Sequence, residues 1–527
     1  MVKHSDGKEL YQRLRALPWQ RLWQDEVPRF DRATARERFE NVAVVRAVAV
    51  VFSESGRVEQ KDQVQEWLLR LLRDPQEKIR RYAIAALPKI GAGAAEEAAL
   101  LALLRSTASA REEKFLGQTL DKIGGAATLA AMAAGHGLSP RTAQKVTASI
   151  ARSQSPSCVR LDAQIADVDR LRIHLRGRKG LETIVREEVN EQGKFRVIEV
   201  EPGHVAITPL APCSLADIFA LRCFGTVGFV LGLLRPASDA ESIEALAAAI
   251  ASAPARRLFA ALTEGAIRYR LDFIGKGHRR GAVRRVTERV YALCPQILND
   301  ARAAPWAVDI HTSRRGDSVE LRPRLTPDPR HPYRLDDVPA ASHPPLAACM
   351  ARLAGRGENE IIWDPFCGSG LELIERALPA GVRRLYGSDR SAAAIEIAGR
   401  NLAAAQLPSV EAQLICCDFR DFAARAGVAP HSLTLIITNP PLGQRVRIPD
   451  LRGLFDDLFA AAAEMLRPGG RLIFTNPFRM ESPQPSLRRR SRNIVDMGGF
   501  DCRLEVYEKT GRSDSRLSRS LDLSGST

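Results

Sequence analysis

Ile361-Ile362-Trp363-Asp364-Pro365-Phe366-Cys367-Gly368-Ser369-Gly370 is the stretch on which the rest of this chain is organised. A short apolar strand runs into Asp364-Pro365, a turn of small residues follows, and a helical run extends from Leu371 to Ala377. A strand, a glycine turn and a helix start, in that order, bring backbone N–H groups to face a ligand. Gly368 and Gly370 let the backbone approach closely and take positive φ. The G-x-G-x-x-G spacing is incomplete, because Leu373 stands three positions after Gly370, and this weakens a dinucleotide reading.

A second stretch narrows the chemistry. Leu433-Thr434-Leu435-Ile436-Ile437-Thr438 predicts an apolar strand ending in Asn439-Pro440-Pro441-Leu442-Gly443. The prolines stop the strand and fix the backbone just past its carboxyl end, the edge where open α/β sheets bind ligands. The Asn439 side-chain oxygen and the Pro440 carbonyl can together accept hydrogen bonds from a planar NH2 group.

On these residues the chain resembles the S-adenosylmethionine-dependent amino methyltransferases, and within them the THUMP-domain RNA guanosine N2-methyltransferases. The resemblance is strongest over residues 340–480, fainter over 170–335, and leaves 1–150 unexplained. It implies an α/β chain with a Rossmann-like class I methyltransferase domain over 340–510. An α+β ferredoxin-like plus THUMP-like RNA-binding region over 168–325 would precede it. It also implies S-adenosylmethionine as cofactor and structured RNA, tRNA or rRNA, as partner. Asp364, Phe366, Cys367, Gly368, Ser369 and Gly370 would form the cofactor loop. Asn439, Pro440, Pro441 and Leu442 would form the catalytic turn, with Asn439 also beside the cofactor.

Further candidates lie on successive strand ends. Arg384 to Asp389 predicts a strand ending in an acid 19 positions after Gly370, an offset that suits two hydrogen bonds to ribose hydroxyls; Arg390 follows it. Ala393 to Ala405 predicts a helix with Asn401 inside it, as in the family's pattern. Glu411 to Cys416 predicts a third strand, after which Asp418 is placed to accept from the adenine N6 amine and Phe419 to border the ring, with Asp421 a competitor. Leu451 to Leu466 predicts a helix, Arg467-Pro468-Gly469-Gly470 a turn, and Arg471 to Thr475 a fifth strand. Arg488, Arg489, Arg490 and Arg492 are expected to begin a basic helix, and Cys502 to Glu508 forms the last strand. Cys416-Cys417 reads as packing at a strand end.

The family often carries an aromatic or other large side chain after Asn-Pro-Pro, where this chain has Leu442. Gly443, Gln444 and Arg445 fit the guanosine-type continuation, with Arg445 placed to hold a phosphate or the guanine ring.

The net charge of +15 and pI of about 9.7 fit a polyanionic partner. Nine cysteines lie scattered without CxxC or metal-like Cys/His spacing, which argues against a metal site and fits a reducing cytoplasm. The start, Met-Val-Lys-His-Ser-Asp, lacks an apolar signal core, and no run approaches transmembrane length, so no membrane association is expected.

Upstream, residues 1–155 predict an all-α region. Trp19, Trp23 and Phe30 anchor its charged start, and Ala- and Leu-rich helical periodicity follows. The segment ending Lys89-Ile90-Gly91 is echoed by Asp121-Lys122-Ile123-Gly124, 33 positions on, which suggests a HEAT-like array or a plain bundle able to offer a face to a protein partner. Ser153 to Ser157 reads as a linker.

From 168 the period changes. Strand, helix, hairpin, helix and strand over Leu171 to Leu233 predict a βαββαβ ferredoxin-like unit. A helix over Ser242 to Leu262, a strand over Ile267 to Ile274, a helix over Val283 to Leu293 and strands Ala307 to Thr312 and Ser318 to Arg324 follow. Lys276, His278, Arg279, Arg280, Arg284 and Arg285 cluster here and are read as phosphate contacts, with Arg314 and Arg315 nearby. Tyr269 and Phe273 read as core. The Pro-rich segment 326–345 links into the catalytic domain, with His331 and His343 as loop histidines, and a Ser- and Arg-rich tail over 511–527 is expected to be disordered.

Three functions compete on this reading. The first is guanine N2-methylation of RNA. The second is adenine N6-methylation of RNA or DNA, or methylation of a protein Gln, both of which present a planar NH2. The third is an RNA-binding scaffold with an inactive methyltransferase fold, against which Asp364, Asp389, Asp418 and Asn439 argue.

Overall fold

The computed structural model describes residues 6–511 other than 57, 92, 136, 137, 139–141, 143, 144, 148, 151–153, 169, 237, 276, 278, 314, 340 and 444–447. Lys276, His278, Arg314, Gln444, Arg445, Ser153 and nearly all of the expected tail therefore lie outside the described residues. The chain divides into two units, 1–156 and 157–527.

Among its described residues the first unit contains helices and no strand. The helix Ala43–Ser55 is apolar nearly all round and buries Val44, Val45, Val48 and Val51. Trp19 stacks on Trp23 with ring centroids 5.3 Å apart, and Trp23 and Phe30 meet Trp67 edge-on, so the aromatic anchors of the charged N-terminal segment form one cluster. The helices Glu77–Ile90 and Ala110–Ile123 are each 14 residues long and carry the 33-residue echo. Their closing glycines differ: Gly91 is left-handed at φ 82° and Gly124 is extended at φ −60°.

In the second unit the first strands are β1 (Ser157–Val159), β2 (Ile173–Arg176), β3 (Phe195–Glu201), β4 (His204–Pro209), β5 (Thr226–Leu234), β6 (Thr263–Gly265), β7 (Arg268–Ile274), β8 (Leu298–Asn299), β9 (Trp306–Ser313) and β10 (Gly316–Pro323). β1 pairs with β6, and the other eight form one sheet in the order β3-β4-β2-β5-β10-β9-β7-β8. The β3-β4-β2-β5 portion has the strand order of a ferredoxin-like βαββαβ unit. β10 extends that sheet by pairing antiparallel with β5, so the ferredoxin-like and following portions share one hydrogen-bonded layer. The single helix expected over 242–262 is two, Asp239–Ile250 and Ala253–Leu262, bent by 45°. Pro254 cannot donate to the preceding turn and Ser252 caps the new helix through Ala255 N–H, so the chain restarts there.

The remaining strands are β11 (Glu360–Asp364), β12 (Val382–Asp389), β13 (Glu411–Cys416), β14 (Leu433–Thr438), β15 (Leu466–Asn476), β16 (Leu487–Asp496) and β17 (Asp501–Lys509). They form a sheet ordered β13-β12-β11-β14-β15-β17-β16, parallel from β13 to β15. The chain order reverses between β11 and β14, so the carboxyl ends of these strands flank the crevice where doubly wound sheets bind ligands. Every residue of β14 is buried, as a parallel strand covered on both faces requires. β15 begins at Leu466, so the expected turn at Arg467 to Gly470 lies within the strand, with Gly469 at φ 77° and a register shift against β14.

Arg488, Arg489, Arg490 and Arg492 lie on β16, the edge strand, and do not begin a helix. The cause is across the hairpin: Glu508 accepts from Arg490 at 2.8 Å and Glu505 from Arg492 at 2.6 Å. Arginine is a good helix former, but these cross-strand acids outweigh a propensity worth tenths of a kcal/mol per residue.

Candidate active site

The Gly loop is shaped by its own backbone and braced from behind. Gly368 and Gly370 take φ 51° and 82°, the left-handed region that an L side chain rarely enters. Gly370 N–H donates to Cys367 O at 2.7 Å, and Cys367 N–H to Ser388 O at 3.0 Å, which ties the loop to the end of β12. Asn401, fully buried, donates to Ser369 O at 2.9 Å and to Asp336 O at 3.0 Å, and accepts from Leu335 N–H at 3.0 Å. One side chain of the helix Ala392–Ala404 thus fastens both the Gly loop and the linker. Trp363 stacks on Phe422 at 4.1 Å and donates to Ser388 Oγ, which stiffens β11 below the loop.

Phe366, Cys367, Gly368, Ser369, Asp389, Arg390, Asp418, Phe419, Asn439, Pro440, Pro441 and Leu442 all line one cavity of about 540 Å³. Asp364 and Gly370 do not line it. Asp364 is fully buried; its Oδ1 accepts from Thr438 Oγ1 at 2.6 Å and from Phe366 N–H at 3.0 Å, and its Oδ2 has no partner among the described residues. Burial, with the Glu372 carboxylate nearby, pushes the Asp364 pKa well up. Asp389 is half-buried at the end of β12, accepting from Gly368 N–H at 3.2 Å and Ser391 N–H at 2.8 Å. Asp418 accepts from Arg420, through its N–H at 3.0 Å and its guanidinium at 3.1 Å, so part of its acceptor capacity is used locally. The rings of Phe366 and Phe419 meet at 5.0 Å and form an apolar wall. Cys417 is buried beside them, whereas Cys416 is exposed and does not pack as expected.

Asn439 is held at both ends of its amide. Thr475 Oγ1 donates to Oδ1 at 2.5 Å, and Nδ2 donates to Ser342 Oγ at 2.8 Å. Ser342 in turn donates to the buried carboxylate of Glu372. These partners fix which end of the amide is oxygen, and one Oδ1 lone pair remains for a substrate donor. Glu372, Ser342 and Thr475 were not among the sequence candidates. Nor were Arg178, Met497 and Phe500, which also line the cavity. The one available signal was an acid at 372 inside the otherwise apolar run Leu371 to Ile374. His343 lines the cavity, while His331 is buried away from it beside Glu375.

The basic candidates lie elsewhere. Arg279, Arg280, Arg284 and Arg285 are exposed at the start of the helix Arg280–Leu293, whose opposite side buries Val286 and Val290. Arg279 sits over Phe273 at 5.6 Å, and Arg284 pairs with Glu288 at 2.7 Å. Tyr269 is fully buried and Phe273 partly so. Arg315 is engaged by Glu199 and Glu201. Among the described residues no group of His, Cys, Asp and Glu is arranged to hold a metal.

Residues 331–484 match the family model described as UPF0020: RMKL-like, methyltransferase domain. A tRNA (guanine(10)-N2)-dimethyltransferase of Methanothermobacter thermautotrophicus is 30% identical over 141 residues. That match spans 26% of this chain and 39% of the relative. Among solved structures, TrmN from Thermus thermophilus superposes with TM-score 0.52 at 21% identity, over 64% of this chain and all of that one. SMU.472, complexed with SAH, gives 0.48 at 14% identity, over 66% of this chain and 99% of that one. The likeness to TrmN is one of fold.

The match is to a methyltransferase domain, and S-adenosylmethionine is the cofactor expected there. The residues present fit that group. A cavity of about 540 Å³ lies within the range for such ligands. Its wall includes Gly368 of the glycine loop, and Asp389, the acid expected to hold the ribose, lines it. Asp389→Ala is expected to weaken cofactor binding by about 1–3 kcal/mol, the scale of a charge-assisted hydrogen-bonded site. Calorimetric titration reads this, and unchanged affinity would take the ribose role away from Asp389.

Proposed function

We propose that this chain methylates an exocyclic amine of a base in structured RNA, most specifically guanine N2 in tRNA or rRNA. The observation that carries the reading is the position of Asn439 and Pro440 at the end of β14, in the same cavity as the Gly loop and Asp389. The guanine N2 activity of the Methanothermobacter relative supports guanine N2, and the net charge of +15 supports a polyanionic substrate.

The cofactor supplies an electrophilic methyl group. The protein's part is to position and polarise the amine. The amine lone pair is delocalised into the ring. Asn439 Oδ1 and the Pro440 carbonyl accept its two N–H groups, which localises the lone pair and aims it across the cavity. The carboxylate of Glu372, acting through Ser342, draws on the Asn439 N–H and so makes Oδ1 the stronger acceptor. Catalysis is then positioning plus electrostatics, and a proton leaves after transfer, so no strong base is required beforehand. The target base must be extruded or single-stranded to enter. Leu442, Met497 and Phe500 supply an apolar wall in place of the aromatic that follows Asn-Pro-Pro in the resembled family.

Phosphate contact is assigned in this reading to Arg279, Arg280, Arg284 and Arg285. Replacing all four by Gln should weaken RNA binding and lower the steepness of its salt dependence by about 3 units in a plot of log affinity against log salt. Unchanged slope in a fluorescence titration would remove the assignment. The function itself is tested by mass mapping of modified nucleosides in RNA from cells lacking this protein. One N2-methylguanosine should disappear and return with the wild-type chain but not with Asn439→Ala. A complete set of modified guanosines in the deleted cells would contradict the proposal.

A further inference from the structure

The first unit holds a site that the methyltransferase reading leaves unused. Residues 1–156 carry 25 Lys and Arg against 18 Asp and Glu, so under a third of the chain holds +7 of the +15 charge. The charges within it are sorted. Asp74 is buried and taken by Arg38, and Glu112 is buried and taken by Arg80 through two hydrogen bonds of 2.7 and 3.0 Å. With those acids turned inward, Arg36 and Arg111 are exposed and Lys78 and Arg81 partly so. Arg36 comes from the helix Ala35–Glu40, Lys78 and Arg81 from Glu77–Ile90, and Arg111 from Ala110–Ile123. All four line one groove of about 660 Å³ together with Phe39, and Glu77 is the one carboxylate among its lining residues.

The groove is furnished as well as charged. Phe39 is 46% exposed, and Lys78 holds its ammonium 3.9 Å from the ring centroid while donating to Phe39 O at 3.0 Å. Arg81 lies over Phe115 at 5.5 Å. The acids that touch these cations belong to the same helices, Glu77 for the mostly buried Arg81 and Glu40 for the exposed Arg36, and the exposed pair contributes little against an incoming polyanion. Burial, and then the repulsion of Arg81, lowers the Lys78 pKa, so the cations already crowd one another.

We propose that this groove binds the phosphate backbone of RNA, giving the chain a nucleic-acid contact separate from the helix that follows Arg279. Guanidinium groups spread over three helices beside an exposed ring match the repeating phosphates and apolar base faces of a nucleic acid. The choice of RNA rests on the proposed substrate class. The binding itself does not depend on methylation.

The test uses the full chain and a fluorescent 20-base-pair RNA hairpin, with a poly-glutamate peptide as the competing class. Arg36→Gln, Lys78→Gln and Arg111→Gln are combined, and circular dichroism checks the fold. A second variant, Arg36→Glu with Arg111→Glu, spares the half-buried Lys78. The triple variant should bind the hairpin at least tenfold more weakly near 0.1 M salt and flatten the log–log salt slope by about 2–3 units. The double variant should move in the same direction, with cofactor affinity unchanged in both. Unchanged hairpin affinity and slope in both folded variants would overturn the proposal. So would loss of poly-glutamate binding with hairpin binding intact, which would make the groove an acidic-protein site. Wild-type protein that binds the hairpin through the groove but transfers no methyl group would overturn the functional reading and leave this one standing.

Discussion

Asn439→Ala is expected to cut turnover by about 10²–10³ while leaving the fold and cofactor affinity intact, the scale seen for removing one preorganised hydrogen-bonding group. The separation follows from geometry. Asn439 sits on the far side of the crevice from Asp389, and its side chain is held by Thr475 and Ser342, with no bond to the Gly loop. Glu372→Gln gives the companion measurement. It keeps an acceptor for Ser342 but removes the charge, so kcat should fall roughly tenfold with little change in cofactor affinity. In the Asn439→Ala background the same substitution should add almost nothing, because groups acting as one chain are not additive. Additive losses, or a cofactor affinity that falls with Glu372→Gln, would make Glu372 a cofactor contact and not a positioning residue. An Asn439→Ala protein with normal turnover would sink the mechanism.

Arg222→Met should destabilise the second unit by about 3–5 kcal/mol, the cost of leaving a buried charge without its partner. Glu375, on the helix that leaves the Gly loop, is fully buried and accepts from Arg222 at 2.7 and 2.8 Å and from Tyr333, with His331 at 3.3 Å. The bond joins the segment before β5, the linker and the catalytic sheet. Burial by itself would raise the Glu375 pKa; the bonds from Arg222, His331 and Tyr333 overcome it and hold the carboxyl at about 2. A depressed folded value means that the stabilisation is present above the unfolded value of about 4.3 and is lost as pH falls through the folded one. Urea melts from pH 7 downward should therefore show a loss on the order of 3 kcal/mol from this group between about pH 5 and 2. In Arg222→Met that part of the pH dependence should vanish. A variant within 1 kcal/mol of wild type at pH 7 would show that the network is not what joins these parts.

Much of the catalytic sheet was legible because its signals are local. Strand β14 is six apolar or Thr residues closed by two prolines, and the 19-residue step from Gly370 to Asp389 is one helix and one strand. What the sequence withheld depends on partners far along the chain. Ser342 meets Glu372 and Asn439 from 30 and 97 positions away, and Thr475 reaches Asn439 from the neighbouring strand β15. The Arg488 to Arg492 run reads as a helix until Glu505 and Glu508 are opposite it. The pairing of β10 with β5, which merges two predicted portions into one eight-stranded sheet, joins residues more than 80 positions apart. The bend at Ser252 to Pro254 was the opposite case, a local stop signal outweighed in the reading by the apolar run around it.

The central claim is most directly tested by incubating the intact chain with methyl-labelled S-adenosylmethionine and bulk RNA, then digesting the RNA to nucleosides and locating the label. The account predicts label in N2-methylguanosine, absent with Asn439→Ala. Label found only in N6-methyladenosine, or no label in RNA from a protein that binds the cofactor, would contradict it.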